Sequence, residues 1–138
     1  MTCSVWYDRW QMDCCGTPFA LGSRVCWPVT VREHPLLPED LREQLGSWDY
    51  DFDSHDNDPE KPYYTLWGTV QKIRGVYIFY RQDEERRAWM PDSGLTLPGH
   101  GTGEFPGSHE GARLDAWLAE VAVEEMRPLR EGDQELWG

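Results

Sequence analysis

The run from Tyr63 to Gln82 constrains this chain more than any other segment. It reads Y-Y-T-L-W-G-T-V-Q-K-I-R and then G-V-Y-I-F-Y-R, two stretches with little more than Gly75 between them. β-Branched and aromatic side chains are stiff at χ1 and pack well on a pleated surface, so both stretches are expected as strands. Either they fold back on each other at Gly75 as a tight hairpin, or they form one long strand that bends there. In both cases the chain is organised around a sheet.

The flanking sequence supports that frame. Cys3 to Tyr7 is short and β-prone, and Arg24 to Val31 (R-V-C-W-P-V-T-V) is rich in strand formers. Pro28 inside the second run donates no ladder hydrogen bond, which places it at an edge or a bulge. Gly16-Thr17-Pro18 and Leu21-Gly22-Ser23 are turn chemistry. Pro38 to Gly46 reads as one short helix, with proline at its start, acids in the first turn, Leu41 and Leu45 on one face and Gly46 closing it. Arg87 to Met90 is expected as a short strand. In the segment Leu114 to Met126, Leu114, Trp117, Leu118 and Val121 fit helical spacing, whereas Trp117, Ala119, Val121 and Val123 alternate as in a strand. The fold expected is mainly β: a small, strongly bent sheet or barrel, of the size of an SH3 or OB domain, with one short helix near 38–46. Residues 1–138 are expected as a single domain, with an acidic loop over about 47–62, a Gly/Pro-rich loop over about 92–111 and a loose tail over about 128–138.

Charge restricts the partners. Thirteen basic residues against 25 acidic ones give a formal charge of -12. Such a field repels phosphate backbones and anionic lipid, which disfavours nucleic-acid and membrane-surface binding, and it suits a basic protein partner or a divalent cation. The sequence has neither a stretch near the ~20 apolar residues of a membrane span nor a basic-then-apolar opening, so a cytoplasmic protein is expected. Its four cysteines, at 3, 14, 15 and 26, are expected as reduced thiols in that setting. Eight tryptophans exceed what a core of this size needs. Some are expected at the surface, where aromatics beside acids suit a protein partner or a planar cation.

Two segments carry candidate chemistry. The first is W-Q-M-D-C-C-G-T-P-F, Trp10 to Phe19. Cys14 and Cys15 could clamp a metal, form a redox pair, act as a nucleophile with its neighbour, or fill space in the core. Successive side chains of an extended segment point to opposite faces, which argues against both thiols reaching one metal unless a turn into Gly16 reorients them. His34, His55, His100 and His109 stand singly, without a second ligand pair at zinc spacing. The second is W-D-Y-D-F-D-S-H-D-N-D-P-E. There Asp49, Asp51, Asp53 and Glu60 fall on positions 1, 3, 5 and 12 of a calcium loop. Ser54 stands where that loop wants glycine, Asp56 where it wants an apolar anchor, and Pro59 interrupts its end. G-H-G-T-G, Gly99 to Gly103, lacks the lysine and flanking elements of a phosphate loop and is read as flexible.

The opening also carries a family pattern, V-W-x-x-x-W-Q-x-x-C-C-G-x-P-F-x-x-G-x-x-V-x-W. It falls on Val5, Trp6, Trp10, Gln11, Cys14, Cys15, Gly16, Pro18, Phe19, Gly22, Val25 and Trp27. A second block, G-x-V-x-x-I-R-x-V-x-x-x-Y, falls on Gly68, Val70, Ile73, Arg74, Val76 and Tyr80, and a weaker one surrounds Met90 to Gly94. In these blocks the sequence resembles an uncharacterised family of small actinobacterial proteins, a domain of unknown function. The resemblance implies a shared fold and a strand at Trp117 to Val123. It brings no activity with it.

Together these features point to a binding protein rather than an enzyme, engaging a protein partner through an acidic, aromatic-rich surface, with Trp10, Gln11, Cys14, Cys15 and Trp48 as candidate contacts. No cofactor is expected, and a divalent cation is the exception to consider. The alternative is a small enzyme or metal-binding protein whose site gathers Cys14 or Cys15 with His55, His100 or His109, or a cation site in the loop 49–60.

Overall fold

A computed structural model describes residues 1–33, 37–55 and 58–138. Strand β1 (Thr2–Asp8) runs straight into helix α1 (Arg9–Cys15), and β2 (Arg24–Val31) leads to α2 (Glu39–Leu45) and β3 (Tyr50–Phe52). Strands β4 (Tyr63–Asp83), β5 (Ala88–Gly99), β6 (Ser108–His109) and β7 (Ala112–Pro128) follow. The segment around Gly75 is therefore one long strand, not a hairpin. Gly75 and Gly99, on neighbouring strands but two residues apart in register, both lie under the ring of Phe105, and a Cβ on either would lie 2.5 Å from a ring carbon. The glycine makes room for Phe105 without turning the chain.

One edge of β4 pairs with β7 along most of its length, while the other edge pairs first with β2 and then with β5. Strand β3 lies between β2, antiparallel to it, and β1, parallel to it. Strand β1 pairs with β7, so β4, β2, β3, β1 and β7 close a ring of strands. Register shifts at Trp67/Gly68, Val70/Lys72 and Val76/Tyr77 supply the bends that closure requires. The chain is thus mainly β and strongly bent. Among the described residues it carries two α-helices, α1 and α2, where one was expected.

The strand period of two sorts side chains between two cores. Val5, Tyr7, Trp27, Val29, Phe52, Leu66, Tyr77, Trp117, Ala119 and Val121 belong to the inner cluster. Trp6, Val76, Ile78, Ala116 and Leu118 point the other way and are covered by Leu41 and Leu45 of α2 together with Leu37 and Trp48. Trp117, Ala119 and Val121 face one side as strand alternation requires, so the segment Ala112–Pro128 is a strand. Pro28 is neither at an edge nor at a bulge: β2 lies between β4 and β3, and Pro28 pairs with Thr65 of β4. On the other side, where Cys26 exchanges both backbone bonds with Gly138, it offers only its carbonyl, to the N–H of Asp53.

Three expected loops differ. The Gly/Pro-rich stretch begins inside β5, whose backbone pairs with β4 through Gly99. The acidic stretch contains β3. The tail is fastened: Asp133, 4% exposed, accepts both guanidinium nitrogens of Arg127 at 2.9 Å, Thr65 Oγ1 at 2.8 Å and the Arg130 N–H at 2.9 Å. Those donors hold its carboxyl well below the usual carboxylate range, the Arg127 guanidinium foremost.

Candidate functional site

Helix α1 is only seven residues long and has no side-chain cap at its start, so it is too short to persist on its own helical propensity. What holds it is Gln11, a polar side chain 4% exposed. Its Nε2 donates to the Phe52 carbonyl at 3.0 Å, and its Oε1 accepts from the Ser54 N–H at 3.1 Å and Ser54 Oγ at 3.4 Å. Gly16 closes the helix by donating to the Gln11 and Met12 carbonyls, and it lies so close to Tyr7 that a Cβ would collide with the phenol oxygen. The helix is thereby fixed against the exit of β3, where His55 sits.

The consequence is a cluster the extended-segment expectation argued against. Cys14 and Cys15, at the end of α1, are both exposed, and contrary to the expectation of four reduced thiols their sulfurs are bonded to each other. His55 Nε2 lies 3.6 Å from Cys14 Sγ and 3.5 Å from Cys15 Sγ. Adjacent residues of a helix are about 100° apart around the axis rather than on opposite faces, so both side chains reach the same histidine. The buried, space-filling role belongs instead to Cys3 and Cys26, which are free. Burial pushes the Cys3 thiol up to about 11 and raises that of Cys26.

His55 is itself oriented. Its backbone N–H donates to Asp53 Oδ1 at 2.8 Å, and its Nδ1 lies 3.4 Å from Ser54 Oγ. A ring proton on Nδ1 would donate to Ser54 Oγ and leave the Nε2 lone pair facing the sulfurs, whereas a proton on Nε2 would donate to them. Trp10, 56% exposed, covers the other side of the imidazole with ring centroids 5.1 Å apart.

Beside the cluster runs a groove of about 260 Å³ lined by Asp8, Trp10, Glu33, Asp51, Asp53 and His55. Burial raises the carboxyl of Asp8 and pushes that of Asp51 up to about 6, with Asp8 and Asp53 adding repulsion at Asp51 and the Trp48 indole N–H and Arg32 opposing it. A carboxylate raised in this way favours the native state while protonated. Its stabilisation is present at and below the unfolded value near pH 4 and is lost as pH rises to about 6. Thermal unfolding between pH 4.5 and 7 is therefore expected to show a falling stability that becomes flatter in Asp51→Asn. An unchanged slope in that variant would refute this role for Asp51.

The structure brings Trp10, Gln11, Cys14 and Cys15 together, sets Asp51 and Asp53 along the adjoining groove, and leaves Trp48, Asp49 and Glu60 apart. Trp48 is 7% exposed, stacked on Trp6 at 4.7 Å and donating to Asp51 Oδ1 at 2.7 Å, so it is a core residue and no surface contact. Asp49, Asp51 and Asp53 lie along and beside the extended β3 rather than wrapping one point. Asp49 accepts from the Ser4 N–H and hydroxyl, Asp51 from Trp48 and the Glu33 N–H, and Asp53 from the His55 N–H and the Tyr63 hydroxyl. Glu60 stands exposed. Among the described residues, the His, Cys, Asp and Glu side chains whose donor atoms all lie within 4.8 Å of one another are Cys14, Cys15 and His55. Asp56 and His34, named above, lie outside the described residues. His100 and His109 pair with Glu104 and Glu110, away from the thiols. The residue the sequence did not mark as part of a site is Ser54, noted there only as a departure from a calcium loop.

No helix among the described residues is long and apolar enough to cross a membrane. Comparison with curated proteins and with solved structures gives no match. A family model described as a family of unknown function (DUF6578) matches residues 1–123, which takes in the barrel up to Val123, helix α1 and all of the cluster, and leaves out the fastened tail. The chain belongs to that family.

Proposed function

We propose that this chain is a small binding protein whose working element is a redox-active pair, Cys14 and Cys15, with His55 as its proton partner. The observation that carries the reading is that both bonded sulfurs are exposed and within 3.6 Å of the same imidazole nitrogen. A bridge between neighbouring residues closes almost no chain, so it removes little entropy from the unfolded state and does not serve the fold as a staple. Its use is chemical. A dithiol reductant attacks one sulfur, and the Cys14–Cys15 bond breaks as a mixed disulfide forms. The second reductant sulfur then releases the chain, so the reductant becomes a disulfide and the pair a dithiol. The two protons lost by the reductant end on Cys14 and Cys15, and His55 Nε2 is placed to accept one and pass it to the departing sulfur. In a cytoplasmic setting the reduced form is the resting one.

The test is a count of thiols that react in the folded protein. Isolated under air, the chain should show none that react fast, because Cys3 and Cys26 are buried; after a dithiol reductant it should show two, and none in Cys14→Ser/Cys15→Ser. The reading is lost if the count does not change. A second reading, capture of a basic protein segment, draws on the exposed Trp10 at the mouth of the groove lined by Asp8, Glu33, Asp51 and Asp53. Nucleic acid and membrane surfaces do not suit the charge of -12.

A further inference from the structure

We infer that the reduced pair and His55 form a site for a thiophilic d10 cation, Zn²⁺ or Cu⁺, and that the disulfide is the closed, metal-free state of the same atoms. This rests on the redox reading in one respect: the two sulfurs must be available as thiols.

The geometry is that of a ligand set. Zinc–thiolate and zinc–imidazole bonds of about 2.3 and 2.05 Å at tetrahedral angles put sulfur and nitrogen about 3.55 Å apart. His55 Nε2 already stands 3.6 and 3.5 Å from the two sulfurs. Opening the S–S bond lets the sulfurs part to the ~3.8 Å of a tetrahedral edge, a movement two exposed side chains can make by rotation. The ring is oriented as in ligating histidines, with Nδ1 against Ser54 Oγ and Nε2 directed at the sulfurs. Ser54 is in turn fixed by the buried Gln11. Thiolate and imidazole donors select Zn²⁺ and Cu⁺ over the harder Mg²⁺ and Ca²⁺, which sets this site apart from general attraction to an acidic surface. Three protein donors leave a coordination position open to water or to a partner's side chain.

Binding replaces two thiol protons by one ion, so the dithiol chain plus Zn²⁺ gives the zinc-bound chain and two protons released to solvent. The disulfide offers no thiolate, so exchange of the zinc-bound pair with an oxidised dithiol, which takes up the two electrons and two protons and leaves as the dithiol, must expel the ion. Redox state and metal occupancy therefore exclude each other.

The experiment uses the full chain, reduced with a phosphine without air, after its reactive thiols have been counted. Zn²⁺ is followed by calorimetry, Co²⁺ by its thiolate charge-transfer absorption, and Cu⁺ in competition with a chromogenic chelator. The expected result is one ion per chain, two protons released per Zn²⁺, and affinity at least tenfold weaker in each of Cys14→Ser, Cys15→Ser and His55→Ala. Excess Mg²⁺ or Ca²⁺ should not compete, and the oxidised chain should not bind. Uptake of Cu⁺ but not Zn²⁺ with the same losses upholds the inference and names the ion. Two counted thiols with no uptake, or uptake unchanged in all three variants, overturns it while leaving the redox reading standing. Failure of the reductant to yield two thiols, with none present beforehand, overturns both. The three substituted side chains are exposed, so the variants are expected to fold.

Discussion

Gln11→Leu is expected to lower the stability of this chain by about 2–3 kcal/mol and to separate Cys14 and Cys15 from His55. Leucine fills the volume but offers neither donor nor acceptor. The Phe52 carbonyl then loses its partner at 3.0 Å, and the Ser54 N–H loses its acceptor at 3.1 Å. A buried backbone group left unpaired costs about 1–3 kcal/mol, and the apolar side chain returns part of that. Gln11→Glu divides the effect, because the carboxylate still accepts from Ser54 but cannot donate to Phe52. Urea unfolding measures the stability loss. The positioning role needs a second readout: in the reduced, folded variant, Co²⁺ absorption should weaken for Gln11→Leu at temperatures well below its midpoint and should recover more fully in Gln11→Glu. If Gln11→Leu unfolds earlier but binds Co²⁺ as the parent does, Gln11 serves the fold alone.

The same residue marks where sequence reasoning stops. Strands are legible where their pattern is local, as in Tyr63 to Gln82. At Leu114 to Met126 the spacing fits helix and strand alike, and only the family resemblance implies the strand whose Trp117, Ala119 and Val121 the inner cluster holds. Helix α2 is legible because proline, first-turn acids, two leucines on one face and a closing glycine all agree. Helix α1 carries no such agreement. It has seven residues, no capping side chain, and a glutamine turned inward where polarity reads as exposure. Taken as extended chain, the segment sends its two cysteines to opposite sides; as the end of a helix it brings them to one imidazole. Sequence named the residue types of the site and a short set of histidines. The selection of His55 depends on a hydrogen-bonded tie between residues more than forty apart in the chain, and nothing in the spacing of single letters records that. The calcium-loop spacing carries a complementary ambiguity. Asp51 lies in β3 with Asp49 and Asp53 immediately flanking it, and the strand period of two gives the same spacing that a wrapped loop would use. The tail looked loose because it is polar, yet Arg127 and Thr65 make burial of Asp133 favourable.

Gly68→Ala should be the most damaging single methyl in the barrel, costing about 2–3 kcal/mol, the upper part of the range for overpacking a close-packed interior. Gly68 lies in β4 where the strand is paired on both edges, with Val25 of β2 and Val123 of β7, at a register shift in the latter pairing. A Cβ there would lie 2.5 Å from Val121 Cγ1, nearer still to the Ala122 carbonyl oxygen and 3.2 Å from the Ala122 carbonyl carbon. Val121 is fully buried and has no room to rotate away, and the carbonyl is backbone. Relief must come from moving β7 off β4, which disturbs the pairing that closes the ring. Gly103→Ala is the control, since a Cβ there meets nothing within 4 Å, and it should be neutral or stabilising by up to about 1 kcal/mol through the unfolded state. Denaturant midpoints at equal slope for parent, Gly103→Ala and Gly68→Ala measure the difference. Equal midpoints for the two variants would mean that β4 and β7 are free to separate at Gly68, and that closure of the ring does not depend on their close approach.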